Sequence, residues 1–169
     1  APVDHVDNAD DCDPNDIFTH PGAADKEPNA PDQCRTDFDG DRYGEINVVG
    51  DVIPGTDCDD DDIFTFPNAG ELENDPTLCL ADADEDGYAE IDPDRDKGEP
   101  NGTDCDDGDG KAFPGAAALD VSSYRCMRDF DDDEYGDSSP DNSDVAAGND
   151  CDDSDANRYP YTYYTIAVT

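Results

Sequence analysis

Apolar residues in this chain come in short patches and not in periodic stripes. The patches are IFTHPGAA (17–24), IFTFPNAG (63–70), KAFPGAAA (111–118) and RYPYTYY (158–164). No segment shows apolar residues at i, i+3, i+4 and i+7, so no helix of ordinary length is expected. Ile46–Val49 reads as a short strand, and the connectors around it and at 91–102 and 138–149, rich in Gly, Pro, Asp and Asn, read as loops. Ile17 with Phe18, Ile63 with Phe64, and Phe113 are expected to form a small apolar cluster in each unit that covers a disulfide. The stretch Arg158–Thr169 differs: it holds no acid, and its β-branched and aromatic residues predict a C-terminal strand. Tyr161, Tyr163, Thr165 and Ala167 would line one face, with Thr162, Tyr164, Ile166 and Val168 on the other. A strand apolar on both faces needs a sheet. It would pair with Ile46–Val49 or dock on another molecule by strand addition.

The polar positions between these patches repeat. The phrase GTDCDDDD (55–62) returns as ADDCDPND (9–16), GTDCDDGD (102–109) and GNDCDDSD (148–155), with Cys12, Cys58, Cys105 and Cys151 spaced by 46–47 residues. A second phrase alternates with it: DFDGDRYGE (37–45), DADEDGYAE (82–90) and DFDDDEYGD (129–137). A fixed period of this size marks a repeat protein. The chain divides into an opening half-repeat, 1–36, repeats 37–81 and 82–128, an incomplete repeat, 129–157, and the strand 158–169. The fold class expected is mostly irregular with little helix: tandem repeats stapled by calcium and disulfides, with short β-strands and the C-terminal strand.

Composition sharpens this. The 48 acidic residues face 9 basic ones, for a net charge of -39, and only 34% of residues are apolar. Such a chain buries too little to offset its conformational entropy. Small modules of this kind use disulfides or metals instead of a core. The acidity excludes nucleic acid and anionic membranes as partners, and no run of about 18 apolar residues could span a bilayer. The first residue is Ala1, as expected of a mature secreted product. Regular cysteines and carboxylate cages favour the extracellular side, where calcium is abundant and disulfides persist.

The alternation in the second phrase suits calcium, which takes hard oxygen ligands from alternate loop residues. Candidate ligands are Asp37, Asp39, Asp41, the Tyr43 carbonyl and Glu45. The second loop offers Asp82, Asp84, Asp86, Tyr88 and Glu90, and the third Asp129, Asp131, Asp133, Tyr135 and Asp137. Gly87 occupies the sixth place of its loop, where the chain turns sharply, but Arg42 and Glu134 stand there in the others. The twelfth place, where the EF-hand loop carries a bidentate acid, holds Val48, Pro93 and Pro140. Ligands must therefore come from elsewhere.

Cys34, Cys79 and Cys126 each stand three residues before a loop, which predicts the pairs Cys12–Cys34, Cys58–Cys79 and Cys105–Cys126. These bridges would set Asp11, Asp13 and Asp16 beside the loop at Asp37. Likewise Asp57, Asp59 and Asp62 would lie beside Asp82, and Asp104, Asp106 and Asp109 beside Asp129. In the competing geometry each acidic-cysteine phrase completes the loop before it, and both arrangements can coexist. Cys151 and its phrase (Asp150, Asp152, Asp155) have no mate in this scheme, which points to a neighbouring molecule. Asn101-Gly102-Thr103 fits the glycosylation sequon, so glycans are possible partners.

The order DxDxDxYG, connector, DCDDxD and then a PGA-like segment resembles the metal-binding repeats of MopE type found in secreted bacterial proteins. DRYG (41–44), GTDCDDDD (55–62) and FPGAA (113–117) carry the likeness. The loops are also similar to thrombospondin type 3 repeats, in which calcium and disulfides replace a hydrophobic core. The resemblance implies an extracellular, calcium-dependent architecture. It also offers copper binding as an alternative, but the chain has no tryptophan, its cysteines are better used in bridges, and only His5, His20 and Met127 remain as imidazole or thioether ligands. The expected function is a structural calcium-binding protein: a rigid spacer, or the subunit of a surface filament joined through the C-terminal strand. The alternative is an adhesive or carbohydrate-binding module on a calcium-stapled stalk. No nucleophile–histidine pairing or phosphate-cradling loop appears, and wall material for a catalytic pocket is lacking, so the chain is not expected to be an enzyme.

Overall fold

The computed structural model describes residues 11–29, 32–91 and 100–160. Among them there is no helix, only six short strands in three antiparallel pairs. Strand β1 (Thr19–Pro21) pairs with β2 (Cys34–Thr36), β3 (Thr65–Pro67) with β4 (Cys79–Ala81), and β5 (Ala112–Pro114) with β6 (Cys126–Arg128). The first strand of each pair stops at a proline, which cannot donate to a ladder. The second opens at the cysteine facing that proline. Pairs this short do not hold by themselves. Each is tied by a disulfide, Cys12–Cys34, Cys58–Cys79 and Cys105–Cys126, with Cα atoms 6.3, 6.1 and 6.0 Å apart. These are the pairs the spacing predicts. Closing loops of this length removes about 3 kcal/mol of chain entropy from the unfolded state in the entropic model.

The first strand of each pair lies in the patch that follows an acidic phrase and the second just before an acidic loop, and none lies at Ile46–Val49. That segment is held at its start, by bonds from Ile46 N–H to Asp57 O (3.0 Å) and from Asn47 N–H to Glu45 Oε1 (2.6 Å), then turns away, leaving Val49 87% exposed. The strand expected at 158–169 falls mostly outside the described residues, as do His5 and Pro93. Its first residues belong to the repeat instead. Tyr159 stacks on Tyr135 at 5.4 Å, as Phe66 stacks on Tyr43 (5.2 Å) and Phe113 on Tyr88 (5.4 Å). Pro160 then follows Tyr159 as Pro67 and Pro114 follow their aromatics. Tyr159 and Pro160 thus stand in the aromatic–proline place of the repeat.

The buried apolar set is small and rich in alanine: Ala24, Ala69, Ala89, Ala112, Ala117, Leu80 and Met127 among others. The middle residue of each second strand packs with an alanine against a glycine: Arg35 and Ala24 at Gly44, Leu80 and Ala89 at Gly70, Met127 and Ala117 at Gly136. Ile17 and Ile63 are not in it, being 42% and 46% exposed. Phe18 is half-buried and meets Phe38 at 4.8 Å.

Each acidic loop is joined to the acidic-cysteine phrase after it by a short parallel bridge: Glu45 to Asp57, Glu90 to Asp104, Asp137 to Asp150. The amides of Asp57, Asp104 and Asp150 donate to Gly44, Ala89 and Gly136 (2.9, 2.8 and 2.8 Å). Gly55, Gly102 and Gly148 let the two backbones meet, since a Cβ there would overlap the carbonyls of those same three residues.

Candidate metal centre

Each loop is curled by its own carboxylates. Asp37 accepts the amides of Gly40 (2.8 Å) and Arg42 (3.2 Å), Asp82 that of Gly87 (3.0 Å), and Asp129 those of Asp133 (3.2 Å) and Glu134 (2.9 Å). Asp41, Asp86 and Asp133 accept the amides of Tyr43, Tyr88 and Tyr135 (2.6, 2.8 and 3.0 Å). The fourth and sixth places are left-handed in all three loops: Gly40, Glu85 and Asp132 at φ 87, 60 and 62°, then Arg42, Gly87 and Glu134 at φ 85, 93 and 73°. The absence of glycine at Arg42 and Glu134 does not change the turn. Those residues adopt the strained conformation because the first aspartate holds their N–H groups. One oxygen each of Asp37, Asp39 and Asp41 lies within 4.8 Å of the others, and the same holds for Asp82, Asp84 and Asp86.

The phrase that completes each loop is the one after it in sequence. Asp57 and Asp60 join Asp39 within 4.8 Å, and the charges of Asp59 and Asp62 also bear on Asp39. Asp104 feels Asp86 and Asp84, and Asp106 and Asp109 bear on Asp84. Asp150 and Asp155 contact the loop at 129–137 in the same way. The placement expected across the disulfide, with Asp57, Asp59 and Asp62 beside Asp82 and Asp104, Asp106 and Asp109 beside Asp129, is not the observed one. The bridge sits at the strand pair, and the backbone of Asp57 is already hydrogen-bonded to the preceding loop, so its carboxylate faces that way. Asp11, Asp13 and Asp16 are not brought to the loop at Asp37: Asp11 and Asp13 accept the amides of Asp13 and Asn15, and Asp16 caps its own turn.

Three residues were missed by the sequence reading. Asp60, Asp107 and Asp153, two places after the cysteine, accept the amides of Phe38, Ala83 and Phe130 (3.0 Å each) and lash phrase to loop. A signal for them exists. The acid occurs in each phrase that follows a loop, whereas the phrase at 11–16 has Pro14 there.

The carboxylates are deeply buried for charged groups. Asp57, Asp104 and Asp150 are 0, 1 and 0% exposed. One oxygen of each accepts the amide two residues on, while no donor reaches Oδ2. The same is true of Asp39, Asp41, Asp84, Asp86 and Asp133 at Oδ2, Asp82 at Oδ1 and Asp131 at both oxygens. Every buried carboxylate oxygen without a donor among the described residues belongs to one of these three clusters. Burial, reinforced by neighbouring carboxylates, pushes Asp57 up to about 8 and Asp41, Asp60, Asp104 and Asp107 to about 7. Asp86 and Asp153 rise to about 6, and Asp37, Asp39, Asp82, Asp84, Asp129, Asp131, Asp133 and Asp150 are raised for the same first cause. Carboxylates crowded in this way either hold protons or are paired with a cation.

The remaining candidates serve mainly the backbone. Asp62 accepts Phe64 N–H and the Thr65 hydroxyl, as Asp16 does with Phe18 and Thr19, and Asp155 accepts Asn157 N–H. Asp152 pairs with Arg158. Glu45 and Asp137 accept the amides of Asn47 and Ser139, and Glu90 carries the bridge to Asp104. Asn101 is exposed, while the Thr103 hydroxyl of its sequon is bound to Glu73 at 2.8 Å. Cys151 is a free, exposed thiol, Met127 is buried beneath its strand, and His20 contacts Pro21 O. The His20 ring lies near enough to Asp37 for its charge to bear on that carboxylate.

The chain matches no family model, no curated protein and no solved structure, so its chemistry is read from this geometry.

Proposed function

We propose that the chain is an extracellular structural repeat protein whose fold depends on bound calcium, working as a rigid spacer or as a unit of a larger surface assembly. One observation carries the reading: three times over, a fully buried aspartate from an acidic-cysteine phrase presents a donor-free oxygen to the aspartates of the loop before it. The donor set fits the ion. It consists of hard carboxylate oxygens, and six of the seven cysteines are spent in disulfides. Calcium accepts six to eight such ligands in irregular geometry, whereas magnesium holds its waters and copper prefers nitrogen and sulfur.

Asp37, Asp39, Asp41 and Asp57 would hold the ion in the first unit, Asp82, Asp84, Asp86 and Asp104 in the second, and Asp129, Asp131, Asp133 and Asp150 in the third. The bound ion supplies the attraction that a hydrophobic core supplies elsewhere. Glu27, Asp60 and the disulfide then keep loop and phrase in register. Among the described residues no helix is long and apolar enough to cross a membrane, and three disulfides suit an oxidising compartment. Circular dichroism and sedimentation of the chain in calcium and in EDTA test the proposal together. Loss of defined structure in EDTA, restored by calcium, is the expected result. Unchanged spectra and sedimentation in EDTA would remove it.

A further inference from the structure

The three units are not equivalent, and the difference lies at the third residue of the second strand, just before each loop. That residue is Thr36, Ala81 and Arg128 in turn. In the first unit Asp39, Asp57 and Asp60 form a second triad, sharing Asp39 with the triad of the loop. Asp57 is fully buried with Oδ2 donor-free, and Asp60 is 7% exposed with one oxygen on Phe38 N–H. In the second unit the charges of Asp104 and Asp84, each with Oδ2 donor-free, bear on the half-buried Asp107, which accepts Ala83 N–H. In the third unit Asp153 again accepts its amide, from Phe130, but its other oxygen takes Arg128 Nη1 at 2.9 Å. Arg128 Nε also binds Asp109 at 2.6 Å, and the guanidinium lies 4.7 Å from the Phe130 ring centroid.

The neighbouring residues match this exchange. Where Arg128 is absent, the counterparts of Asp109 are satisfied by a threonine hydroxyl: Asp16 by Thr19 (3.0 Å) and Asp62 by Thr65 (3.1 Å). Opposite Arg128 stands Ala112, which has no hydroxyl and leaves room for the arginine stem.

We propose that each of the first two units binds a second divalent cation at this outer triad, and that in the third unit the Arg128 guanidinium takes that cation's place. The inference rests on the calcium reading above. A guanidinium carries one fixed positive charge and cannot be removed by a chelator, so the third unit keeps part of its charge compensation when calcium is withdrawn. Two divalent ions sharing two aspartates, Asp39 and Asp57 in the first unit, would offset most of the five carboxylates in each of the other units.

Native mass spectrometry of the full, disulfide-intact chain titrated with calcium counts the ions. Asp60→Asn and Asp107→Asn should each lose one ion relative to the unmodified chain, and Asp153→Asn none. Arg128→Ala should gain one, and the double change Thr65→Ala with Ala81→Arg should lose one. Equal losses in all three asparagine variants, or no loss in any while the unmodified chain still binds calcium, would overturn the proposal. No calcium on the unmodified chain would instead overturn the reading beneath it. The asparagine variants keep the side-chain oxygen that holds the loop amide, so they decide the matter even where the arginine variants fold poorly.

Discussion

Glu27 reaches across 29 residues to Thr56: its Oε1 accepts the Thr56 amide at 2.6 Å and the Thr56 hydroxyl at 3.2 Å, and the Gly44 amide at 3.3 Å. One buried carboxylate thus fastens the first strand pair to both the loop and the phrase that completes it. Glu73 does the same for Thr103 and Ala89, and Asp120 for Asn149. Glu27→Ala strands these donors and should lower unfolding free energy in calcium by about 2–3 kcal/mol, given what charged-group hydrogen bonds contribute. Glu27→Gln, which keeps the acceptor, should cost less than half of that. Denaturant midpoints of the two variants check the difference.

The contact of Gly55 with the Gly44 carbonyl leaves no space for a side chain. Gly55→Ala should therefore push the phrase off its loop, weakening calcium binding and destabilising the fold by about 1–3 kcal/mol. At Gly108 an added Cβ meets nothing nearer than 3.9 Å. Gly108→Ala should leave calcium affinity within twofold, which a titration of both variants reads directly.

Withdrawal of calcium should invert the usual pH dependence. Asp57, Asp41, Asp60, Asp104 and Asp107 lie at about 7 to 8 in the fold against an ordinary 3.8. The cation-free folded state thus holds more protons than the unfolded chain between these values, and its stability falls as pH rises through them. It should be most stable below about pH 4 and least stable above about pH 8. Calcium competes with those protons, so its affinity should rise over pH 6–8 with protons released on binding. Melting curves in EDTA and in calcium across this range test both; a cation-free form more stable at pH 8 than at pH 4 would contradict the account.

Glu134 holds φ at 73°, and Gly87 occupies the same place in the second loop at φ 93°. Glu134→Gly removes the Cβ penalty of the left-handed conformation and should stabilise the calcium-loaded chain by about 1 kcal/mol. A lower melting temperature would show that the glutamate side chain is needed for another reason.

Alkylation without reduction should label Cys151 alone, since it is the one free cysteine and is exposed. Peptide mapping identifies the site. Label on Cys58 or Cys79 would show that bridge to be open.

The hairpins show where sequence reasoning stopped. The cysteine spacing led to the right disulfides, because a constant separation leaves few ways to pair six thiols. It left open which loop the adjoining carboxylates face, because a bridge locates two Cα atoms but not the side chains beside them. Ile46–Val49 has strand-forming residues but no partner, while Thr65–Pro67 and Cys79–Ala81 pair because the bridge brings them together. Glu27, Glu73 and Asp120 could not be distinguished from the many surface acids, since only their distant donors single them out.

Local chemistry, written in the order of residues, determined the repeat, the acidic loops, the stapling by sulfur and the absence of helix among the described residues. Those features depend on neighbours within a few positions or on a count of cysteines. Tertiary structure alone decided which phrase closes which loop, which buried carboxylates keep an oxygen without a hydrogen-bond donor, and that Arg128 enters one unit out of three. Each of these depends on which groups the fold places within a few ångströms of one another, whatever their distance along the chain.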